Sequence, residues 1–247
     1  MPSVAVVIPA AGMSSRFGGV EKKPFVSLDG RPVWQRSAEL FWKRPDVSRV
    51  YLVLAPGDRD EFRERFGHLV AFNNVELVDG GAERFESVAN ALARVPADVD
   101  LVAVHDAVRP LGTPALIDAV FAAAAGHGAA LLAVPVADTL KQVDAANRVT
   151  GTTPRTGLWQ AQTPQVFRRD WLLDAYAKRA TVAPPVTDDA QLVEAAGYPV
   201  VVVPGAATNF KITTKDDLAL AELILKSRAV VRESDWAGPR FDDEVKW

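Results

Sequence analysis

The chain has 247 residues, of which 49% are hydrophobic and 24% charged, enough apolar material for one large domain or two small ones. Its formal net charge of -3 provides no general basic field for nucleic acid, so any bound polyanion must meet a local cluster of cations. The chain contains no cysteine, which excludes disulfides, thiolate metal sites and a cysteine nucleophile, and no run of about 18 apolar residues that would predict a membrane span.

The N-terminus enters an apolar run at once, without the basic region or the Arg- and Ser-rich presequence of a targeting segment. We therefore expect a cytoplasmic protein. Short β-branched runs then alternate with segments of helical period. The strand candidates are continuously apolar, which is typical of strands covered on both faces. In chain order they are Val4–Pro9, Arg49–Ala55, Val75–Val78, Leu101–His105, Ala129–Pro135 and Val200–Pro204.

Amphipathic segments lie between the predicted strands, and the spacing of their apolar residues predicts helices. Pro32–Lys43 carries proline near its first turn, and residues 214–217 form a capping-box-like start for a helix that runs to about Ser227. Two more helices are predicted around Phe85–Leu92 and Leu116–Ala124. This alternation predicts an α/β fold with a mostly parallel sheet flanked by helices.

Two regions interrupt the alternation. Residues 139–153 alternate in polarity and carry turn residues at Asp144–Asn147, which predicts a β-hairpin that leaves the main sheet. Because a lone hairpin is marginally stable in water, we expect it to pack on something, most simply a second copy of the chain. Residues 228–247 are rich in charge and are interpreted as a C-terminal extension to a domain that spans residues 1–227.

The first predicted strand runs into a loop of small residues, Pro9–Gly19, whose successive N–H groups can cradle phosphate oxygens. The loop lacks the GxGxxG of a dinucleotide site and the Gly-Lys-Ser/Thr of a P-loop, which argues against a dehydrogenase and a P-loop NTPase. Arg16 lies in the loop and Lys23 follows it, so two cations can hold the charge of a triphosphate. The alternative is a turn whose small residues only serve packing.

The third predicted strand is followed by Asp79-Gly80-Gly81-Ala82-Glu83-Arg84, which opens the next helix. Two glycines at a strand end suit a backbone wall against a flat base, and Ser87 in the helix can donate a hydrogen bond. A tight turn with an acidic helix start is the alternative interpretation.

The segment His105–Pro110 ends the fourth predicted strand. In open α/β sheets ligands bind beyond the carboxyl ends of the strands, so Asp106 and Arg109 lie where chemistry is expected. Asp106 can bind Mg²⁺ or a hydroxyl and Arg109 a phosphate, while an ion pair between the two is the competing interpretation. His105 is interpreted as a structural histidine, and the other two histidines show no carboxylate spacing that indicates zinc.

Further polar segments follow along the chain: Arg155, residues 159–165, residues 187–189 and residues 209–213. Taken individually, they are interpreted as ordinary polar residues of the surface. The pair Asp188-Asp189 predicts the start of a helix, where carboxylates suit the helix dipole.

Taken together and in this order, these segments resemble the 2-C-methyl-D-erythritol 4-phosphate cytidylyltransferases of the non-mevalonate isoprenoid pathway, over roughly residues 4–226. One such short motif is weak support, but five in register are specific. The five are Pro-Ala-Ala-Gly at residues 9–12, Val78-Asp79-Gly80-Gly81, the His105–Pro110 segment, Thr163-Pro164-Gln165, and Lys211 before the last helix.

The resemblance implies a Rossmann-like nucleotidyltransferase domain, a homodimer built through the β-arm of residues 139–153, and transfer of CMP from CTP to a polyol phosphate. It implies that Arg16 and Lys23 stabilise the transition state and that Arg155 and Lys211 position the polyol phosphate. The residues implied for the CTP pocket are Ala10, Ala11, Gly12, Gly80, Gly81, Ala82 and Ser87. Those implied around the polyol phosphate also include Asp106, Arg109, Thr139, Thr163 and Thr187. We expect Mg²⁺ as the cofactor, with Asp106 as its candidate protein ligand.

Three alternatives remain open. The acceptor can be ribitol 5-phosphate, because only a few side chains would separate two short polyol phosphates. A sugar-1-phosphate nucleotidyltransferase that uses another NTP is disfavoured by Asp79-Gly80-Gly81 and by the His105–Pro110 segment. A non-catalytic nucleotide-binding protein on the same fold is disfavoured by the four cations Arg16, Lys23, Arg155 and Lys211. A protein that only binds a nucleotide does not need cations on both phosphates.

Overall fold

The computed structural model describes residues 2–12, 22–183 and 186–236. Its first half contains β1 (Val4–Pro9), β2 (Ser27–Leu28), β3 (Arg31–Pro32), α1 (Val33–Glu39), β4 (Val47–Leu54), α2 (Arg59–Phe72), β5 (Val75–Asp79), α3 (Arg84–Leu92), β6 (Leu101–Val104) and α4 (Pro114–His127). Its second half contains β7 (Ala129–Pro135), β8 (Leu140–Val143), β9 (Val149–Thr153), β10 (Trp159–Arg168), α5 (Arg169–Ala177), α6 (Asp189–Ala195), β11 (Val201–Pro204) and α7 (Lys215–Trp236).

Seven strands form one sheet in the order β11-β7-β10-β6-β1-β4-β5. β1 pairs in parallel with β4 and β6, β4 with β5, and β7 with β11, whereas β10 runs antiparallel between β6 and β7. The prediction of a mostly parallel sheet flanked by helices is therefore confirmed, and the six predicted strands agree with observed strands to within two residues at each end.

The strands are continuously apolar because both faces of the sheet are covered. Along β1, Val4, Val6 and Ile8 pack into a cluster with the buried residues of α1, α2 and α4. Ala5 and Val7 point to the opposite face and pack with residues of α3, α5 and α6. Successive strand side chains point to opposite faces, and each fully buried aliphatic side chain contributes about 1.5–3 kcal/mol.

The interpretation of residues 159–165 as ordinary polar residues of the surface is wrong for residues 162–165, which are buried in β10, whereas residues 159–161 are exposed. The strand lies in the middle of the sheet, and its residues 162–167 are buried. Its polar side chains are accommodated by hydrogen bonds: the Gln162 amide donates to the Ala206 carbonyl at 2.9 Å, and Gln165 donates to Asp188 at 2.8 Å. Buried polar groups are tolerated only when they are hydrogen-bonded, so the burial of this strand depends on partners that are distant in sequence.

The predicted hairpin is present as β8 and β9, which pair only with each other in a separate two-stranded sheet. Its turn is closed by the Asp144 carboxylate, which accepts hydrogen bonds from the backbone N–H groups of Ala146 and Arg148, both at 2.9 Å. Asn147 adopts a positive φ of 59°, which asparagine tolerates well. Val143 and Val149 are more than half exposed on this hairpin.

The last helix is longer than predicted. α7 begins after Thr214, whose hydroxyl accepts a hydrogen bond from the N–H of Asp217 at 3.1 Å, as expected for a cap. It continues to Trp236, so the boundary drawn at residue 227 falls inside a helix rather than at a break in the backbone. The helix predicted over Pro32–Lys43 is shorter, with Pro32 as its N-cap residue. Among the described residues, none of the helices combines the length and the apolar character that a membrane span needs.

Candidate active site

The strand order creates a crevice at the carboxyl end of β1. The chain leaves β1 for β4 and β5 on one side and then returns to β6 on the other side. Loops that follow β1 and β6 consequently diverge, which is the position where open α/β sheets bind ligands. A cavity of about 250 Å³ lies there. Among the described residues it is lined by Pro9, Ala10, Ala11, Gly12, Pro24, Gly81, Ala82, Glu83, Arg84, Ser87, Asp106, Ala107, Val108 and Lys211.

One wall of the cavity is the backbone that follows β5, and it requires glycine. A Cβ atom on Gly80 would lie 2.7 Å from the Ala11 Cβ and 2.9 Å from the Ser87 Oγ. A Cβ on Gly81 would lie 2.4 Å from the Cβ of Glu86. The loop is therefore held against the end of β1 at a distance that no other residue type allows.

Ser87 fixes this loop from the first turn of α3. Its buried hydroxyl accepts a hydrogen bond from the Gly81 N–H at 3.1 Å and donates to the Glu83 carbonyl at 3.2 Å. Glu83 and Glu86 complete a reciprocal capping box. In this structure Ser87 thus orders the loop, whereas the sequence suggested a donor toward a base.

The other end of the cavity carries a cluster of charge around Asp106. The Asp106 Oδ2 lies 3.0 Å from the Arg109 Nε and 3.3 Å from the Lys211 Nζ. Burial by itself would raise the pKa of Asp106, but the neighbouring Lys211, Arg84 and Arg109 cations outweigh it and hold that pKa well below its usual range. Asp106 therefore stays ionised, and the ion pair between Asp106 and Arg109 is confirmed, while their roles toward Mg²⁺, a hydroxyl or a phosphate stay predictions.

Lys211 reaches this cluster because the loop before α7 is tied to the loop after β6. The N–H of Ile212 donates to the Val108 carbonyl at 2.9 Å, and Arg109 Nη1 donates to the Asn209 carbonyl at 2.9 Å. These two bonds hold Lys211 beside Asp106 although about a hundred residues separate them in the chain.

His105 and Thr163 support Asp106 from behind. The His105 Nε2–H donates to the Arg109 carbonyl at 3.0 Å, so its Nδ1 accepts from the Thr163 hydroxyl at 3.1 Å. The Thr163 Oγ1 in turn accepts the N–H of Asp106 at 3.0 Å. Burial lowers the pKa of His105 to about 4, which keeps the imidazole neutral and agrees with its interpretation as a structural histidine.

The structure places most of the sequence-predicted residues in or directly behind this cavity. Lining it are Ala10, Ala11, Gly12, Gly81, Ala82, Ser87, Asp106 and Lys211, with Gly80, Arg109 and Thr163 in contact with that lining. Thr139, Arg155 and Thr187 are exposed and are not among the described lining residues. Arg16 and the side chain of Lys23 lie outside the part of the chain that the structure describes.

Sequence reasoning assigned no role to Arg84, which lines the cavity as well. Its Nη2 donates to the buried carboxylate of Asp189 at 2.7 Å, and the Tyr176 hydroxyl donates to the same carboxylate. The only sequence signal for this cation was its position directly after the glycine loop. The sequence indicated only a helix start for Asp189, and Asp188 does cap α6 by accepting the Gln191 N–H at 3.0 Å.

The side chains that could bind a metal here suit a magnesium ion that arrives bound to a nucleotide. They do not suit one that is held by protein ligands alone. Within the described residues no group of three or more His, Cys, Asp or Glu side chains converges, and Glu83 and Asp106 are the carboxylates that line the cavity. Mg²⁺ in nucleotide sites takes one or two carboxylates and otherwise binds phosphate oxygens and water. Asp106 can serve as such a carboxylate.

A glycine-walled pocket at the switch point of a mostly parallel sheet, with the cations Arg84 and Lys211 in its lining, is typical of an α/β protein that binds a nucleotide or another phosphorylated ligand. Residues 4–227 match the family model described as 2-C-methyl-D-erythritol 4-phosphate cytidylyltransferase. The chain belongs to this family, and the protein is an enzyme, a cytidylyltransferase of isoprenoid precursor biosynthesis.

Individual relatives agree with the family assignment. The chain is 46% identical over 225 residues to the 2-C-methyl-D-erythritol 4-phosphate cytidylyltransferase of Frankia casuarinae, which covers 91% of this chain and 82% of the relative. It is 46% identical over 233 residues to that of Dechloromonas aromatica, covering 92% and 100%. The crystal structure of the Thermus thermophilus enzyme superposes with a TM-score of 0.75 at 34% identity, covering 90% and 98%.

Proposed function

We propose that the cavity between the glycine loop and Asp106 is where this enzyme brings CTP and 2-C-methyl-D-erythritol 4-phosphate together. The observation that carries the proposal is the cavity itself, which joins the glycine wall to the Asp106–Lys211 pair within about 250 Å³. The glycine loop would face the cytosine, and the Asp106 end would face the phosphorylated acceptor.

In the reaction, an oxygen of the acceptor phosphate attacks the α-phosphorus of CTP. The new bond joins that oxygen to the α-phosphorus, the bond from the α-phosphorus to the bridging oxygen breaks, and pyrophosphate leaves with that oxygen and its electron pair. A phosphate monoester is largely ionised at pH 7, with a second pKa of about 6, so the nucleophile needs no general base. This agrees with a cavity whose described lining contains no histidine.

The remaining barrier is electrostatic, because two polyanions must come into contact. Lys211 lines the cavity with its Nζ 3.3 Å from Asp106 Oδ2, and we propose that it holds the acceptor phosphate. We propose that Arg16 and Lys23 stabilise the charge that develops at the α-phosphate, as the family resemblance implies. Asp106 is the candidate carboxylate for Mg²⁺, which would supply neutralisation of phosphate charge when it is bound with the nucleotide.

A second copy of the chain would bring Arg155 to the acceptor. Arg155 is exposed, lies just after the hairpin strand β9, and is not among the described residues that line the cavity. The hairpin exposes Val143 and Val149 by 54% and 62%, and exposed apolar groups on a projecting hairpin favour association. We propose a homodimer in which the β-arm of one copy brings its Arg155 to the cavity of the other.

Mixing two inactive variants tests this arrangement. Arg155→Ala and Lys211→Ala are each expected to have little activity as pure proteins when the acceptor is kept below the wild-type KM. If Arg155 acts across the dimer, subunit exchange restores one intact site per mixed dimer, and activity returns to about a quarter of the wild-type value. If both residues act within one chain, mixing restores no activity. A monomer observed by sedimentation would directly refute the proposed dimer.

The reaction is tested by pyrophosphate release from CTP and Mg²⁺. We expect rapid release with 2-C-methyl-D-erythritol 4-phosphate and little with ribitol 5-phosphate, and replacement of CTP by ATP, GTP or UTP should abolish it. Comparable rates with ribitol 5-phosphate would reassign the acceptor. The absence of release with either acceptor would favour a protein that only binds nucleotide. The cytoplasmic location remains a prediction.

A further inference from the structure

Arg84 is a cation of the cavity wall that is held by a residue far away in the sequence. It is the first residue of α3, directly after the glycine loop, and it lines the cavity together with Asp106 and Lys211. Its side chain is 35% exposed, whereas its partner Asp189 is 1% exposed. The guanidinium therefore has one side on a buried carboxylate and another side that can face a ligand in the cavity.

Asp189 is rigidly placed. Its Oδ2 accepts from Arg84 Nη2 at 2.7 Å, and its Oδ1 accepts from the hydroxyl of Tyr176, which is also buried. A carboxylate that accepts two hydrogen bonds in a buried position holds its donor in one orientation. Arg84 is thus fixed at the cavity rather than free to swing into solvent.

The start of α6, which carries Asp189, is pinned to the central sheet by Gln165. The Gln165 amide donates to Asp188 at 2.8 Å, and its carbonyl oxygen accepts the N–H of Ala190 at 3.1 Å. Gln165 is two residues after Thr163, whose hydroxyl accepts the N–H of Asp106. One rigid framework therefore positions both Asp106 and, through Asp189, the Arg84 guanidinium.

The side of the cavity on which Arg84 is held decides which substrate it meets. Its partner Asp189 lies at the start of α6, which is bonded to Gln165, two residues after the Thr163 that accepts the N–H of Asp106. Arg84 is also one of the cations that keep the pKa of Asp106 low, so its guanidinium lies near enough to the Asp106 carboxylate to interact with it electrostatically. A fixed guanidinium suits a phosphate because its planar N–H groups bind two oxygens at once.

We propose that Arg84 binds the phosphorylated acceptor and that Asp189 is the positioning residue that holds Arg84 for this role. The inference rests on the proposed function of the cavity. The competing explanation is an ion pair that only stabilises the fold by joining α3 to α6. The two explanations differ in which kinetic constant changes when the pair is altered.

Steady-state kinetics with both substrates distinguish them. Arg84→Gln should raise the acceptor KM by about 10- to 100-fold, the loss expected for a hydrogen bond to a charged group, while the CTP KM changes by less than about threefold. Arg84→Lys keeps the charge without the planar fork and should fall between wild type and Arg84→Gln. Asp189→Asn should raise the acceptor KM as well, and the double variant should be no worse than Arg84→Gln alone.

Arg44→Gln is the matched control. Arg44 is also a partly buried arginine, paired with Asp46 at 2.7 Å, but it precedes β4 at the opposite, amino edge of the sheet. It should change thermal stability without changing either KM. Melting temperatures of all variants identify any that fail to fold. If Arg84→Gln is among them, the acceptor KM values of the conservative variants Arg84→Lys and Asp189→Asn are compared with wild type instead.

Several results would overturn the inference. An unchanged acceptor KM in Arg84→Gln, or a CTP KM that rises while the acceptor KM stays constant, would remove the acceptor role of Arg84. Additive effects of Arg84→Gln and Asp189→Asn would show that Asp189 does not act through Arg84. Wild-type enzyme that releases no pyrophosphate would instead refute the proposed function itself.

Discussion

Replacement of Gly80 by alanine is the most direct test of the glycine wall. The added Cβ would lie 2.7 Å from the Ala11 Cβ, 2.9 Å from the Ser87 Oγ and 3.2 Å from the Leu54 carbonyl oxygen, all shorter than ordinary van der Waals contact. The loop cannot simply rotate away, because the Gly80 N–H donates to that same carbonyl at 2.7 Å. The loop must therefore move off the end of β1.

Overpacking of this kind costs about 1–3 kcal/mol. If the whole cost falls on the CTP-bound state, the CTP KM rises by about 5- to 150-fold, since about 1.4 kcal/mol corresponds to a factor of ten. If it falls on the fold, the melting temperature drops by about 2–12 °C for a chain of this size. The acceptor KM should change little, because Asp106 and Lys211 lie at the other end of the cavity.

Pyrophosphate release at varied CTP, with saturating acceptor, measures the first quantity, and a thermal melt measures the second. Gly67→Ala is the control: Gly67 lies within α2, a Cβ there meets nothing within 4 Å, and alanine should stabilise the helix slightly. A Gly80→Ala enzyme with wild-type CTP KM would refute the placement of CTP against this loop.

Four further predictions concern single residues. Lys211→Ala should raise the acceptor KM at least about tenfold through loss of a charge-assisted contact, and unchanged acceptor kinetics would dismiss that role. Arg16→Ala and Lys23→Ala should each lower turnover by about 10²-fold or more, and near-wild-type turnover in both would refute their assignment. Thr163→Val leaves the Asp106 N–H and the His105 Nδ1 without their partner, so it should lower stability by about 1–3 kcal/mol and also reduce kcat/KM, which urea unfolding and steady-state kinetics check. His105 has a folded-state pKa of about 4 and an unfolded value of about 6.5, so the unfolded chain takes up a proton first as pH falls. Stability should therefore drop by about 2 kcal/mol from pH 7 to pH 5, and His105→Asn should lose clearly less over that range.

Local patterns explain what could be predicted correctly. The continuous apolar runs indicated strands covered on both faces, and β1, β6, β7 and most of β4 are such strands, whereas β5 and β11 at the two edges of the sheet are only partly buried. The hairpin was predictable because its turn is closed within five residues by Asp144, which bonds the N–H of Ala146 and Arg148. The α7 start was predictable for the same reason, since Thr214 and Asp217 cap it locally.

β10 and its surroundings were not predictable in this way. Gln162, Thr163 and Gln165 look like surface residues, yet they are buried because Ala206, His105 and Asp188 supply their hydrogen bonds. Each of these partners is at least 23 residues away in the chain. A polar residue gains a place in the core only when its partners are in position, and that condition cannot be seen within a short window of sequence.

The α/β class, the family, the glycine loop and most residues of the cavity could be predicted from the amino-acid sequence, because they depend on local spacing and on motifs at strand ends. Three features required the folded chain: Lys211 and Arg109 share one oxygen of Asp106, Ser87 orders the glycine loop, and Asp189 holds Arg84 across 105 residues. Charge and hydrogen-bond pairing act through space, so the partners in these contacts become known only once the chain is folded.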